Sequence, residues 1–431
     1  MKPRSLLLLV VSALFFVGKP VLAQQQQPTL DYFINHALQS DPNIRQNVNQ
    51  QQFYSLQAQL INAQNRAPQV NFTSDYLFAP FFGSDGRPIS ITTTPSDNAF
   101  GYDIGQTNGG MYATQMSVAY NLINKKTVKA LLDQNTTQAA INTNAKGQLE
   151  HDLRKAITDQ YIQLYQVQQQ EIYLEQIVQE IKDRHAAVEA LVKRGLLQQS
   201  DYLLLEIELN TRENDLAQAR ISEVNAYGAL KNVAVVTDTG MVKLAEPDIR
   251  IAPNPNAFYY REKFKLDSLN LIMQQNVLNV KYLPTLTLTG NGGMLASDFT
   301  NIPHNVGFDA LLHLNIPIYD GHQRKIVEAQ NKITMQNITY ARDNFTIQQK
   351  NYLQSLQRQI DLFNQSTLKI NQLIEKQELL LRLDREKLQG GQLSIIEYVK
   401  SLQDYAAAKQ SLLQAKTQLM LLVNQYNYYN W

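Results

Sequence analysis

The chain has 431 residues, in which 39 basic side chains nearly balance 38 acidic ones. This balance provides no basic surface of the kind that holds nucleic acid, so nucleic acid is not an expected partner. The absence of cysteine excludes disulfides, thiolate metal sites, cysteine nucleophiles and a lipidated N-terminal cysteine.

The first 23 residues have the layout of a secretory signal peptide. Lys2 and Arg4 form a charged start, and Val21 and Ala23 stand where signal peptidase requires small residues. The apolar run between them is about 12 residues long, which is shorter than the ~20 residues that a membrane-spanning helix needs. We therefore predict cleavage after residue 23 and an exported protein.

An internal repeat organises the remaining chain. The alternating segment 118–124 corresponds to 314–320, and the segment 195–202 corresponds to 391–398, each pair being 196 residues apart. A third pair, 67–72 and 283–288, is 216 residues apart, so the first copy carries 20 extra residues before its long helix. Because internal repeats indicate a duplicated structural unit, we place the extra residues in the Gly- and Pro-rich loop Phe82–Gly110.

The repeat divides the mature chain into two similar halves. The first repeat covers residues 24–236, a linker rich in Gly and Pro covers 237–255, and the second repeat covers 256–431. Each half is predicted to contain a helix, two strands joined by a loop, a long helix, a tight turn and a further helix. The predicted strands and long helices are strands 68–80, 111–122, 284–294 and 306–318, and helices 125–194, 200–235, 322–389 and 394–428.

The long helices are predicted to form coiled coils. Apolar side chains recur there at alternating intervals of three and four residues, and Gly147 is the only interior glycine of the helix at 125–194. A helix of about 70 residues is roughly 100 Å long, which exceeds a globular domain. The clearest seam comprises Leu353, Leu356, Ile360, Phe363, Thr367, Ile370 and Ile374.

The four strands have one apolar and one polar face, which is typical of membrane β-strands. In the last strand the polar side chains are Asp309, His313 and Asn315, and apolar residues alternate with them. Tyr76, Tyr112, Tyr120 and Tyr319 lie near strand ends, as in an aromatic girdle. Four strands are too few to close a barrel, and open edges in lipid are costly, so several copies must combine. Two copies would give eight strands and three would give twelve.

Three segments resemble the TolC-type family of outer-membrane efflux proteins, and the resemblance extends over essentially the whole mature chain. The opening Leu30–Asn43 is similar to the family's short helix that ends in Asp-Pro. The turn Ile316–Gly321 is similar to the family's strand-to-helix turn, and Arg194–Asp201 is similar to its first hairpin turn.

The resemblance implies a mainly α-helical chain with membrane β-strands that forms a homotrimer in the outer membrane of a Gram-negative bacterium. Three copies would build one 12-stranded barrel in the lipid bilayer and a helical tunnel through the periplasm. The implied function is a passive exit duct in tripartite efflux or type I secretion. Its implied partners are a periplasmic adaptor protein and an inner-membrane pump of the RND or ABC type.

The resemblance also assigns roles at the hairpin tips. Glu397 falls in the constriction ring, and Lys400 stands where a relative has a second acid. Because Lys400 lies three residues after Glu397 on the same helical face, an i,i+3 pair that neutralises the acid is expected. Leu388 and Leu393 occupy positions of polar gate links and cannot form such links, so any lock uses other residues. The predicted gate residues are Glu397, Lys400 and Asp201, and the predicted tip and adaptor-contact residues are Gly195, Leu196, Gly390, Gly391 and Leu393.

Other interpretations compete at these positions. Ser394 and Glu397 also fit a helix capping box, and Asp201 fits an acid that the helix dipole favours. The tip glycines are also suited to turns with positive φ.

We find no catalytic or cofactor motif, because the six histidines are scattered and Gly290–Gly293 lacks the last glycine of a dinucleotide loop. No cofactor or enzymatic activity is expected. A fibrous trimeric adhesin with a membrane barrel is the alternative, but it would carry its strands at one end of the chain.

Overall fold

The computed structural model of the protein describes most of the chain, and the predicted signal peptide at residues 1–23 lies outside the described part. The described residues are 28–83, 86–92, 94–103, 107, 109–237, 240–252, 259–297 and 304–431. The linker residues 240–252 contain neither helix nor strand.

The first half of the chain contains four helices around a β-hairpin. Its helix α1 ends before Asp41, whose carboxylate accepts hydrogen bonds from the backbone N–H groups of Asn43 (2.8 Å) and Ile44 (3.1 Å) and so caps the next helix. The elements are α1 (Leu30–Ser40), α2 (Pro42–Arg66), β1 (Gln69–Phe78), β2 (Phe81–Phe82), β3 (Ile89–Ser90), β4 (Gly110–Asn121), α3 (Lys125–Lys193) and α4 (Gln199–Ala234).

The second half has the same order without the two short strands. Its strands are joined by a shorter loop, and its long helix has 67 residues against 69 in α3. The elements are α5 (Tyr259–Val280), β5 (Thr285–Ala296), β6 (Val306–Asn315), α6 (Gln323–Gln389) and α7 (Ile395–Tyr429).

One predicted strand boundary is corrected. The strand predicted over 306–318 ends at Asn315, because its partner β5 begins at Thr285 and provides no backbone beyond it for pairing. The segment Gly290–Gly293 lies inside β5, within the strand predicted over 284–294. A side chain at Gly293 would overlap the backbone of Thr114 in β4, so glycine permits the two strands to approach.

The four long strands form one antiparallel sheet in the order β1-β4-β5-β6, and β1 and β6 are its edges. The register places apolar residues opposite one another, as in the pairs Val70–Val118 and Leu288–Leu312. Polar residues share the other face, where the amide of Asn291 donates a 2.8 Å hydrogen bond to Asp309. The sheet therefore has one apolar and one polar face, as predicted.

The helices pack side by side in a layer. In the half next to the sheet, α3 packs on α2 and α5, and α5 packs on α6. In the far half, α3 packs on α4 and α7, and α7 packs on α6. The order across the layer is therefore α2-α3-α5-α6 near the sheet and α4-α3-α7-α6 at the far end.

Buried apolar side chains hold the layer together in three clusters. The predicted seam of α6 faces inward, with Leu356 and Ile360 packed on Leu422 and Val423 of α7. Another cluster lies near the hairpin tips, and a third joins α1 to α3 and α4. Among the described residues, none of the helices is both long enough and apolar enough to cross a membrane.

Candidate functional site: the hairpin tips

The two helical hairpins turn with the same backbone geometry. After α3, Gly195 has φ +76°, its N–H donates to Val192, and the N–H of Leu196 donates to Leu191. After α6, Gly391 has φ +67° and the corresponding N–H groups bond in the same pattern. This is the Schellman helix end, which requires a residue in the left-handed region and therefore favours glycine. Gly390, by contrast, has φ −83°.

The two predicted gate acids cap the helices that follow the turns. The Glu397 carboxylate accepts hydrogen bonds from the backbone N–H (3.3 Å) and hydroxyl (3.1 Å) of Ser394, and the Glu397 N–H donates to that hydroxyl (3.2 Å). Asp201 likewise accepts from the N–H of Gln198 (3.0 Å). The capping-box interpretation of Ser394 and Glu397 is thus confirmed, and a pore-lining role of Glu397 stays a prediction.

Lys400 does not pair with Glu397, which corrects our expectation. Its Nζ lies 2.7 Å from Oδ1 of Asp404, one turn further along α7, and both side chains are exposed. The Glu397 carboxylate is directed toward the helix N-terminus by Ser394, so Lys400 pairs with the acid on its other side.

A polar contact that sequence reasoning missed joins the two hairpins. The carboxylate of Glu180 in α3 forms a 2.6 Å ion pair with Arg385 of α6. It also accepts a 3.1 Å hydrogen bond from the hydroxyl of Tyr398 in α7. Arg184 lies 3.5 Å from the same carboxylate. Burial, followed by the nearby Glu180 charge, raises the pKa of Tyr398 to about 12, so its hydroxyl remains a donor at neutral pH. Residues so far apart in sequence gave no local signal of this contact.

A second polar link lies close by and joins α7 to α4. The amide of Gln403 donates a 2.8 Å hydrogen bond to Glu208, which also pairs with Arg212 at 2.8 Å. Leu388, by contrast, is buried among apolar side chains, as its residue type requires. The polar links between the hairpins therefore lie one or more turns above the tips.

The predicted tip residues occupy two kinds of environment. Leu196 is 68% exposed, whereas Leu393 packs against the buried cluster that both hairpins form near the tips. A side chain added at Gly195 or Gly391 would meet open space. The tips thus expose Leu196 and Ile396 beside polar side chains such as Arg194 and Gln392.

The linker is fastened to the middle of the layer by buried polar groups. Lys243 contacts Glu171 at 2.5 Å and Glu223 at 3.2 Å, and Gln168, which is buried, accepts from the N–H of Leu244 at 2.8 Å. Although burial opposes ionisation, hydrogen bonds from Lys243 and Arg220 lower the pKa of Glu171. These contacts therefore fix the linker at one position along α3.

The end of α7 is fastened to α3 by aromatic rings, closer to the sheet than the linker contacts are. The imidazole of His151 in α3 stacks on Trp431 at 3.9 Å and on Tyr428 at 4.8 Å. Burial lowers the pKa of His151, which favours its neutral form. A side chain at Gly147 would overlap the ring of Tyr259, which packs on Trp431, so the only interior glycine of α3 makes room for this contact.

Comparison with solved structures shows the class of fold. The crystal structure of the channel protein CusC has a TM-score of 0.71 and 14% identity, over 93% of this chain and 92% of that chain. The outer membrane protein VceC from Vibrio cholerae has a TM-score of 0.68 and 12% identity, over 93% and 96%. The open MtrE outer membrane channel of Neisseria gonorrhoeae has 0.68 and 13%, over 94% and 89%.

These neighbours are outer-membrane factor channels, so the chain has the TolC-type fold. The resemblance drawn from the sequence is confirmed at the level of the fold. No protein-family model matches the chain, and no curated protein does.

Proposed function

We propose that this protein is the outer-membrane subunit of a trimeric export channel, a passive duct rather than an enzyme. The observation that carries the proposal is that the molecule has two free flanks, each of which runs along both the sheet and the helices. One flank consists of β1, α2 and α4, and the other consists of β6 and α6. A chain with two different free flanks associates head to tail, and a ring results when the rotation closes.

The sheet supports closure through its edges. Every residue of β1 and β6 is exposed in the single chain, and the sheet's apolar face contains side chains such as Phe72 and Phe308, the latter 94% exposed. Unpaired backbone groups in lipid cost several kcal/mol each, so β6 of one copy is expected to pair with β1 of the next. Three copies then give the 12-stranded barrel implied by the resemblance.

The helices next to the sheet carry matching apolar seams. On α6, Ile326, Ile333, Tyr340 and Ile347 recur every seven residues, and Ile333 is 58% exposed. The free side of α2 carries a seam of its own with three- and four-residue spacing. Because such seams interdigitate in coiled coils, α6 of one copy fits against α2 of its neighbour. The exposed members of the α2 seam are Phe53, Leu56 and Leu60.

At the far end the same flank of α6 faces α4 of the neighbouring copy. Leu373 and Leu380 of α6 are exposed seven residues apart. On α4, Leu203 and Ile207 are exposed on the side away from α3, and Ile221 lies two heptads beyond Ile207. Both flanks therefore carry exposed apolar side chains near the sheet and at the far end, where they can pack on a neighbouring copy.

The proposed duct works in tripartite efflux or type I secretion, with a periplasmic adaptor and an RND- or ABC-type pump that supplies the energy. The chain itself has no nucleotide-binding motif. The strands lie in the middle of each repeat, which favours the channel over the adhesin. The predicted gate and adaptor-contact roles of the tip residues belong to this proposal.

We further assign the lock of the resting gate to the Glu180 contact. It joins α3 to both helices of the second hairpin, so the second hairpin cannot move away from the first without breaking the Arg385 ion pair and the Tyr398 hydrogen bond. Leu388 and Leu393 cannot form polar links, so the proposal gives the role of the lock to Glu180.

Because the chain has no cysteine, disulfide crosslinking tests the ring directly. We expect Ile333→Cys combined with Leu56→Cys, or with Phe53→Cys or Leu60→Cys, to give covalent dimers and trimers under oxidising conditions. The control combines Ile333→Cys with Leu203→Cys, which lies in the other half of the tunnel and should not crosslink. A folded monomer by light scattering, with no crosslink in any of the three pairs, would overturn the proposal.

Export itself is tested in cells. Deletion of the gene should raise sensitivity to toxic compounds or abolish secretion of a polypeptide, and expression of the wild-type chain should restore the phenotype. A deletion strain with unchanged sensitivity and secretion would contradict the proposed duct.

A further inference from the structure

The two ends of the sheet differ in charge. We define the junction segments as 66–68, 122–126, 281–284 and 316–325, which connect the strands to the helices. The loop segments are 79–109 and 297–305, which connect strand to strand. The loop segments contain one basic and four acidic residues, whereas the junction segments contain one acidic and six basic residues. The six are Arg66, Lys125, Lys126, Lys281, Arg324 and Lys325.

Every strand-to-helix junction contributes at least one of these basic side chains, and all six are exposed. Arg324 pairs with Glu328 at 3.1 Å and lies over the ring of Tyr282. Among the ion pairs of the described residues, the other five have no acidic partner. The single acid of the junction segments, Asp320, is used to cap α6, where it accepts the N–H of Arg324 at 2.9 Å.

The basic residues border the apolar face of the sheet. Tyr120, on that face of β4, is 40% exposed and lies five residues before Lys125, and Tyr319 is exposed five residues before Arg324. Tyrosine is favoured where hydrocarbon meets the headgroups. Lysine and arginine can keep their stems on apolar surface while the charge reaches the polar layer. This end of the sheet therefore has the features of a membrane interface with an excess of positive charge.

We propose that these six residues form a basic collar that binds the phosphate groups of anionic lipid headgroups at the foot of the membrane sheet. The inference rests on the proposed function, since it requires the sheet to lie in a bilayer. A headgroup phosphate offers the counter-charge that five of the side chains lack within the described chain. Basic residues near an anionic surface attract its headgroups electrostatically, and salt weakens this attraction.

The test compares lipid binding by two variants with equal charge change. The collar variant combines Lys125→Gln, Lys126→Gln, Lys281→Gln and Lys325→Gln. The control variant combines Lys350→Gln, Lys369→Gln, Lys376→Gln and Lys387→Gln, which remove exposed lysines of α6 away from the collar. Each protein is reconstituted in nanodiscs of equal phosphatidylglycerol and phosphatidylcholine, and the lipid that remains bound after mild detergent extraction is quantified.

For the wild type and the control variant we expect phosphatidylglycerol to be enriched about fivefold, which corresponds to an attraction of about 1 kcal/mol. The collar variant should show an enrichment close to one, and 0.5 M salt should abolish the enrichment in the wild type. An excess of inorganic phosphate at constant ionic strength should not displace the lipid, because the collar and the apolar face act together. Displacement would mean that free phosphate is the ligand.

Equal enrichment in the wild type and the collar variant would overturn the inference. So would unchanged enrichment together with altered ion selectivity in planar bilayers, since the lysines would then line the duct. These outcomes differ from failure of the proposed function. In that case neither the wild type nor the variants would insert into the nanodiscs or conduct ions.

Discussion

The two helical hairpins share their turn but differ in how the chain covers the helix that follows it. Tyr202 and Tyr398 are equivalent residues in the two repeats, yet Tyr202 is half-buried beside His185 whereas Tyr398 is fully buried. The difference arises because α7 lies between α3 and α6, while α4 lies at the free flank of the layer. The same local sequence therefore lies in the middle of the layer in the second hairpin and at its free flank in the first.

This comparison separates backbone geometry from tertiary contacts. The turns depend on Gly195 and Gly391, which are repeated, whereas the Glu180 contact has no copy, because the position 196 residues further on is Lys376. The free side of α4 is available to a neighbouring copy, and the buried side chains of α7 hold the two hairpins of one chain together. Four substitution pairs test this division.

The largest difference is expected between the two equivalent tyrosines. Tyr398→Ala should lower the free energy of unfolding by about 3–5 kcal/mol, because it leaves a cavity in a closed cluster. Tyr202→Ala should cost about 1–2 kcal/mol, since its surroundings are already partly solvated. Guanidinium titrations of detergent-solubilised protein, followed by helical circular dichroism, measure both values. Equal losses would mean that the two hairpins are covered alike.

The Glu180 contact should matter more than an exposed ion pair of similar length. Glu180→Gln removes the charge that faces Arg385 and should cost about 1–2 kcal/mol, a value reduced by the partial exposure of both side chains. The control is Glu213→Gln, whose 2.7 Å pair with Lys182 is exposed and should contribute less than about 0.5 kcal/mol.

Conductance distinguishes a lock from simple stabilisation at Glu180. Glu180→Gln should increase the frequency of open events in planar bilayers, and Glu213→Gln should not. Identical gating in both variants would assign the lock to other residues.

The adjacent glycines of the second turn should respond differently to the same substitution. Gly391→Ala forces alanine into the left-handed region and should cost about 1–2 kcal/mol. Gly390→Ala, at φ −83°, should change stability by less than about 0.5 kcal/mol. Gly195→Ala should match Gly391→Ala, because the first turn has the same conformation. A thermal unfolding series of the three variants tests this, and a large loss for Gly390→Ala would contradict it.

The smallest difference is expected at the helix caps. Ser394→Ala removes a side chain that accepts the N–H of Glu397 and should cost about 1 kcal/mol. Gln198 is the equivalent residue in the first repeat, and its side chain makes no cap hydrogen bond to the helix. Its backbone N–H donates to the Asp201 carboxylate, and Gln198→Ala retains this bond. We expect that second substitution to be neutral in the same denaturant titration. Comparable losses would indicate that both side chains cap.

The sequence by itself determined the regular elements and their repetition. Period-two alternation predicted the sheet's two faces, heptad spacing predicted the seam of α6, and the glycines at 195 and 391 predicted the turns. These features follow from chemistry within a few residues, so a single chain displays them. The capping role of Glu397 was visible in the same way, because Ser394 is three residues away.

Only the tertiary structure decided which elements lie side by side and which charges meet. Lys400 had two acids within reach, and the direction of the Glu397 carboxylate selected Asp404 for it. Glu180, Arg385 and Tyr398 come together because α7 packs between α3 and α6, and no spacing along the chain specifies that order. The shared flank of β1, α2 and α4 likewise exists only in the folded layer, since helix and strand order across a layer depends on packing between distant segments.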